Sequence, residues 1–124
     1  MILVDTSVWI DHLRHRHPTL AGLLGASRVL MHPMVLGELA CGRFKNRGDH
    51  LRSWRNLPRV EAQAHGEVID WIESEGLAGS GIGFIDAHLL HAVVFRGGAR
   101  LWTGDRSLRS LAARFNAAFP RDNS

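Results

Sequence analysis

Short apolar runs separated by stretches of helical periodicity predict an α/β protein, a three-layer α/β/α sandwich around a central, mostly parallel sheet of four to five strands. The strand-like runs, Ile2-Leu3-Val4 above all, are apolar throughout rather than alternating. That pattern marks strands buried on both faces of a parallel sheet. Between them lie segments with apolar residues three and four apart, long enough to serve as the crossover helices that parallel strands need.

The elements follow in order. Residues 2–5 read as a buried strand, and residues 6–14 as a helix with Thr6 and Ser7 available at its start. Pro18 suits the first turn of a second helix, which runs to about residue 24 and ends at Gly25. Residues 28–31 form the next short strand. Pro33 opens a helix carrying Val35, Leu36, Leu39 and Ala40. The basic stretch 43–59 places Leu51 and Trp54 at helical spacing and reads as a solvated amphipathic helix. A strand over 59–62 and a helix over 65–77, with Val68, Ile69 and Ile72 on one face, come next. Gly79, Gly81 and Gly83 make a flexible approach to a helix over 84–95, which Gly97-Gly98 end. A strand over 99–103, a helix over 107–114 and an edge strand over 115–119 complete the chain.

The 124 residues suit one domain, spanning 1–124, with one hydrophobic core. Hydrophobic content of 45% and charged content of 22% are those of an ordinary globular protein. No apolar run approaches the roughly 20 residues of a membrane span, and the first one stops at Asp5, too early for a signal-peptide core. A cytoplasmic protein with no membrane partner is expected. Cys41 stands alone, which excludes an internal disulfide and a CxxC zinc site. Beside Leu36 and Leu39 it reads as a reduced, buried filler.

The net charge is +3, and every basic residue except Lys45 is an arginine. Arginine's planar fork suits phosphate. A modest positive excess alone says little about a nucleic-acid partner. It says more if several acids are withdrawn into a site, because the remaining surface is then more basic.

Four acids fit that description. Asp5 closes the first strand and Asp105 follows Leu101-Trp102-Thr103-Gly104, so both lie at strand ends, where α/β proteins bind ligands. Glu38 and Asp86 lie in helices. Their neighbours three and four residues away are Met34, Val35, Cys41 and Gly42 for the first, and Ile82, Gly83, Leu89 and Leu90 for the second. Neither has a basic partner there. By contrast, Asp70 and Asp49 have polar or charged neighbours and read as surface residues; Asp11, beside Arg14 and His15, is left outside the site.

Carboxylates gathered without basic partners call for a cation, and Mg²⁺ or Mn²⁺ prefers such oxygen donors. The chemistry that such a site supports is phosphoryl transfer. Ser7 and Thr103, near the strand ends, are candidates to orient the acids or their waters. A plainer alternative stays open: Asp5 and Asp105 as helix caps and Asp86 as a first-turn acid. Glu38, mid-helix on an apolar flank, has no such explanation.

Together these residues resemble a PIN domain, and more narrowly a VapC-type toxin of a bacterial toxin–antitoxin pair. The resemblance rests on Ile2-Leu3-Val4-Asp5-Thr6-Ser7-Val8-Trp9-Ile10, Val35-Leu36-Gly37-Glu38-Leu39, Gly83-Phe84-Ile85-Asp86-Ala87 and Leu101-Trp102-Thr103-Gly104-Asp105. It covers nearly the whole chain. It implies that Asp5, Glu38, Asp86 and Asp105 are the catalytic, metal-binding quartet, with Ser7 and Thr103 as polar supports. It also implies Mg²⁺- or Mn²⁺-dependent endonucleolytic cleavage of RNA by water, leaving a 5′-phosphate and arresting translation. A homodimer and a cognate antitoxin, whose C-terminal segment lies over the active-site groove, are implied partners. Trp9, Leu13, Leu23 and Leu24 supply either an apolar groove or plain core. His88 and His91 depart from the small or apolar residues frequent at those positions.

Arg43, Arg47 and Arg52 are candidates to hold RNA. Other constellations fall away. His12, His15 and His17 cluster, and His88 and His91 share a helical face, but no carboxylate or cysteine completes a familiar zinc signature. There is no phosphate-cradling GxxxxGK[ST] loop, and the 79–83 glycines follow no strand. A haloacid-dehalogenase-like phosphatase needs a second Asp where Ser7 stands. A receiver domain needs a lysine near its last strands, and Lys45 is far upstream. A non-catalytic RNA- or protein-binding module, with acids that only cap helices, remains the alternative.

Overall fold

The structure, a computed structural model, describes residues 1–120; the last four residues of the expected domain lie outside it. Strand β1 (Ile2–Val4) lies between β2 (Val29–Leu30) and β3 (Arg100–Trp102), and both pairings are parallel. Leu3 sits opposite Leu30 on one side and Leu101 on the other. Successive side chains of a strand point to opposite faces. All three residues of β1 are buried, so both faces of the sheet are covered. The layered α/β architecture follows from that.

From β1 the chain runs through α1 (Thr6–His15) and α2 (Pro18–Gly25) to β2 on one side. It then passes through α3 (Pro33–Ala40), α4 (Arg47–Arg55), α5 (His65–Glu75) and α6 (Phe84–Val94) to β3 on the other side, and ends in α7 (Arg106–Arg114). Because the connections leave β1 in opposite directions, the crevice at its carboxyl end is a topological switch point. Asp5 is the first residue there.

The sheet is narrower than expected, with three laddered strands among the described residues. The expected strands over 59–62 and 115–119 each reduce to one parallel bridge, Met31 with Arg59 and Leu101 with Ala118. Pro58 stands before the first bridge and residues 61–64 are exposed after it; Pro120, which lacks a donor, closes the second.

Leu3, Trp9, Leu20, Leu30, Leu89, Leu90, Leu101 and Leu108 are wholly enclosed and form the centre of the core. Trp9 is therefore core rather than groove, whereas Leu13 and Leu24 line an open cavity of about 320 Å³ with His50 and Trp54. On α5 the buried stripe is Val68 and Trp71 with Ile72 beside it, and Ile69 is half exposed. At 100° per residue, Ile69 lies on the flank of that arc. Cys41 is exposed, contrary to expectation. It is the C-cap of α3, about 200° around from Leu39 and past the last buried turn. No helix among the described residues is long and apolar enough to cross a membrane.

Candidate active site

Three of the four acids are set by a hydrogen bond from a local backbone N–H. Asp5 is the N-cap of α1, with Oδ1 accepting from Thr6 N–H at 2.7 Å. Asp105 caps α7, accepting from Leu108 N–H at 2.8 Å. Asp86, in the first turn of α6, accepts from Gly83 N–H at 3.2 Å. The capping alternative is thus realised at three positions. At Asp86 and Asp105 the backbone bond engages one carboxylate oxygen and leaves the other without a partner among the described residues. Glu38 caps nothing and lies exposed on α3.

Gly81 helps to bring the last two elements together. Its φ of +89° is in the region that favours glycine, and a Cβ there would stand 3.0 Å from Ser107 Oγ at the head of α7. The approach to the Asp86 helix thus passes tightly against the start of the Asp105 helix.

Hydroxyls fix the acids further. Thr103 Oγ1 donates to Asp5 Oδ2 at 2.7 Å and accepts from Asp105 N–H at 3.0 Å, so one side chain ties two acid-bearing segments. Thr6 Oγ1 donates to Glu38 Oε1 at 2.7 Å. Ser7, the expected support, is exposed and bonds none of the acids among the described residues; its Oγ faces Gly104. Thr6, its neighbour, is the hydroxyl that reaches an acid. The signal available was its place directly after Asp5, one step around the helix from Ser7.

The electrostatics show the grouping. Burial pushes the Asp5 carboxyl above its ordinary range, and the charges of Glu38 and Asp105 push the same way, against its hydrogen bonds from Thr103 and Thr6. Burial likewise raises Asp86, with Asp5 and Asp105 adding to the shift and the Gly83 hydrogen bond opposing it. The four acids are therefore electrostatic neighbours centred on Asp5. Among the described residues the one ion pair is Arg52 with Asp49, so no arginine or lysine neutralises the group.

The donors are carboxylate and hydroxyl oxygens, which is the chemistry Mg²⁺ and Mn²⁺ require. As they stand, no three His, Cys, Asp or Glu side chains among the described residues are arranged to grip an ion. The donors suit a hard cation in kind, while their spacing does not form a closed set of ligands.

The arginines divide. Arg43 and Arg14 line a cavity that Glu38 also lines. Arg47 is directed back at α3, with its guanidinium donating to the carbonyls of Gly42 and Ala40. Arg52 pairs with Asp49 on the surface. His88 and His91 are buried. His88 Nε2 lies 2.9 Å from His65 Nδ1 and its ring packs on Phe84, while His91 packs between Trp71 and Phe95. Their surroundings are aromatic and imidazole rings, which gives them packing roles.

Comparison with known proteins agrees with this geometry. The PIN domain family model matches residues 2–114. Ribonuclease VapC32 of Mycobacterium tuberculosis, in strains CDC 1551 / Oshkosh and ATCC 25618 / H37Rv, is 43% identical over 124 residues, covering all of both chains. The crystal structure of PAE2754 from Pyrobaculum aerophilum superposes with a TM-score of 0.58 at 19% identity, over 94% of this chain and 95% of that one, a likeness of fold. A parallel sheet with Asp5 at its switch point, and sequence kinship along the whole chain, make this protein a member of the PIN-domain family, of the VapC type.

Proposed function

We propose that the chain is a single-domain endoribonuclease, the toxin of a toxin–antitoxin pair, which cleaves RNA with Mg²⁺ or Mn²⁺ and thereby arrests translation. The observation that carries this reading is the group of four carboxylates around Asp5 with no basic side chain to neutralise it. The name of the Mycobacterium tuberculosis relatives, ribonuclease VapC32, supports RNA as the substrate.

In this reading Asp5, Glu38, Asp86 and Asp105 would hold one or two divalent ions. Such an ion, when bound there, would supply a water of lowered pKa and stabilisation of charge on the phosphoryl group. Thr103 keeps Asp5 Oδ2 in one orientation, and Thr6 does the same for Glu38 Oε1. The free oxygens of Glu38, Asp86 and Asp105 face the task of ion binding, because their other oxygens are engaged. Arg43 holds the RNA backbone beside Glu38, with Arg52 and Arg47 contributing positive potential. The protein acts as a homodimer in the cytoplasm and is inhibited by its cognate antitoxin.

One observation favours the rival, a non-catalytic binding module: three of the four acids cap helices. Glu38, exposed and accepting from Thr6 Oγ1, fits either reading. Separate induction of the wild-type chain and Asp5→Asn in bacteria tests the proposal. Growth arrest with fragmented RNA is expected only from the wild type; arrest by both, or by neither, contradicts it.

A further inference from the structure

Beside Glu38 a cavity of about 310 Å³ opens between α1 and the turn that follows α3. Its walls are Ile10, Leu13, Leu39 and Phe44, with the exposed Arg14 and Arg43 alongside. The Phe44 ring is not loose: it lies 5.5 Å from Trp54, which in turn lies 5.7 Å from the fully buried Trp9. Arg47 fastens the same turn through the carbonyls of Gly42 and Ala40. An aromatic surface is thus held against the core at one end and presented to a cavity at the other.

We propose that this cavity is a nucleobase subsite, taking one base of the RNA strand next to the cleaved phosphodiester. The inference rests on the nuclease reading and adds to it where the substrate is gripped. Unstacked RNA bases are recognised by stacking on aromatic rings and on arginine planes. Phe44 offers the ring, and Ile10, Leu13 and Leu39 offer an apolar bed. Arg14 and Arg43 have no carboxylate partner among the described residues and match the phosphates on either side of such a base. Glu38 belongs both to this wall and to the acid group, so a base seated here adjoins the reacting centre. Two unpaired cations against one acid give the cavity a positive excess, which favours a polyanion over an apolar peptide.

The test uses the full chain, the four nucleoside 5′-monophosphates as probes, and short oligonucleotides varied at one position. Millimolar nucleotide is expected to shift the Phe44 and Trp54 ring resonances of the metal-free wild type. In cleavage assays Phe44→Ala should raise KM about tenfold, more than it lowers kcat, and flatten base preference at one position. Phe44→Trp, which keeps a stacking face, should restore both and guards against a folding defect. Nucleotide shifts at Phe44 in a chain that cleaves no RNA would sink the nuclease reading while upholding the subsite. Unchanged KM and preference in folded Phe44→Ala would overturn the subsite while the nuclease reading stands. So would Phe44→Ala losing affinity for a protein partner alone, which marks the cavity as a protein-docking surface.

Discussion

Thr103 Oγ1 and Asp5 Oδ2 meet at 2.7 Å although they are 98 residues apart in the chain. The bond is buried and joins the ends of β3 and β1, the two strands that flank the crevice on that side. The same hydroxyl accepts the Asp105 N–H, so its removal loosens two acids together. Thr103→Val is expected to cost about 1–3 kcal/mol, because it leaves a buried carboxylate oxygen unsatisfied. Urea unfolding measures this, and Thr103→Ser should recover most of it. Equal stability of the valine and serine variants would contradict the role.

The Asp5 carboxyl is pushed above its ordinary 3.8 by burial first and by Glu38 and Asp105 after it. An acid with a raised folded pKa binds its proton more tightly in the native state. It therefore lowers stability above that pKa, and the penalty lifts as pH falls through the raised value towards 3.8. Asp5→Asn should remove this dependence and hold or raise metal-free stability at neutral pH. Melting temperatures of the two proteins between pH 7 and pH 4 measure it. A variant clearly less stable than the wild type at pH 7 would contradict it.

His32 acts in the opposite sense. It is 1% exposed and caps α3 by accepting from Met34 N–H, which requires an unprotonated Nδ1. Burial, with the nearby His88 adding to it, holds its pKa down to about 4, against an ordinary 6.5. The unfolded chain then takes up the proton first, so stability is full above pH 6.5 and falls as pH drops towards 4. Between pH 7 and pH 5 the loss should be about 2 kcal/mol. His32→Asn, which keeps a capping acceptor, should show a smaller loss by urea midpoints. An identical loss in both would rule His32 out as the cause.

Arg43 and Arg52 should differ in RNA binding. Arg43 has no ion-pair partner among the described residues and lies beside Glu38, whereas Arg52 is paired with Asp49. Arg43→Ala should reduce the slope of log affinity against log salt by about one, and Arg52→Ala by less. Exposed pairs contribute little to folding, so Arg52→Ala should also alter stability by less than about 1 kcal/mol. Equal slopes for both variants would remove the distinction.

Much of this site is legible in the sequence. The acids at the ends of β1 and β3 follow from where apolar runs stop, and helical spacing alone isolates Glu38 and Asp86 from basic partners. Pairing and rotation were less legible. Whether residues 59–62 and 115–119 extend a sheet depends on a partner strand, which no local pattern reveals. Thr6 and Ser7 are one residue apart, and the 100° between them decides which hydroxyl reaches Glu38. Cys41 lies just beyond the last buried turn of α3, a limit that apolar spacing alone does not mark. The turn of Arg47 back onto the α3 carbonyls is a long-side-chain choice that spacing does not encode.

Incubation of the purified chain with RNA, with and without Mn²⁺ and beside Asp5→Asn, tests the central claim most directly. Cleavage that needs the metal, leaves 5′-phosphate ends and vanishes in the variant is the predicted result. Metal-independent cleavage, or equal cleavage by wild type and Asp5→Asn, would contradict it.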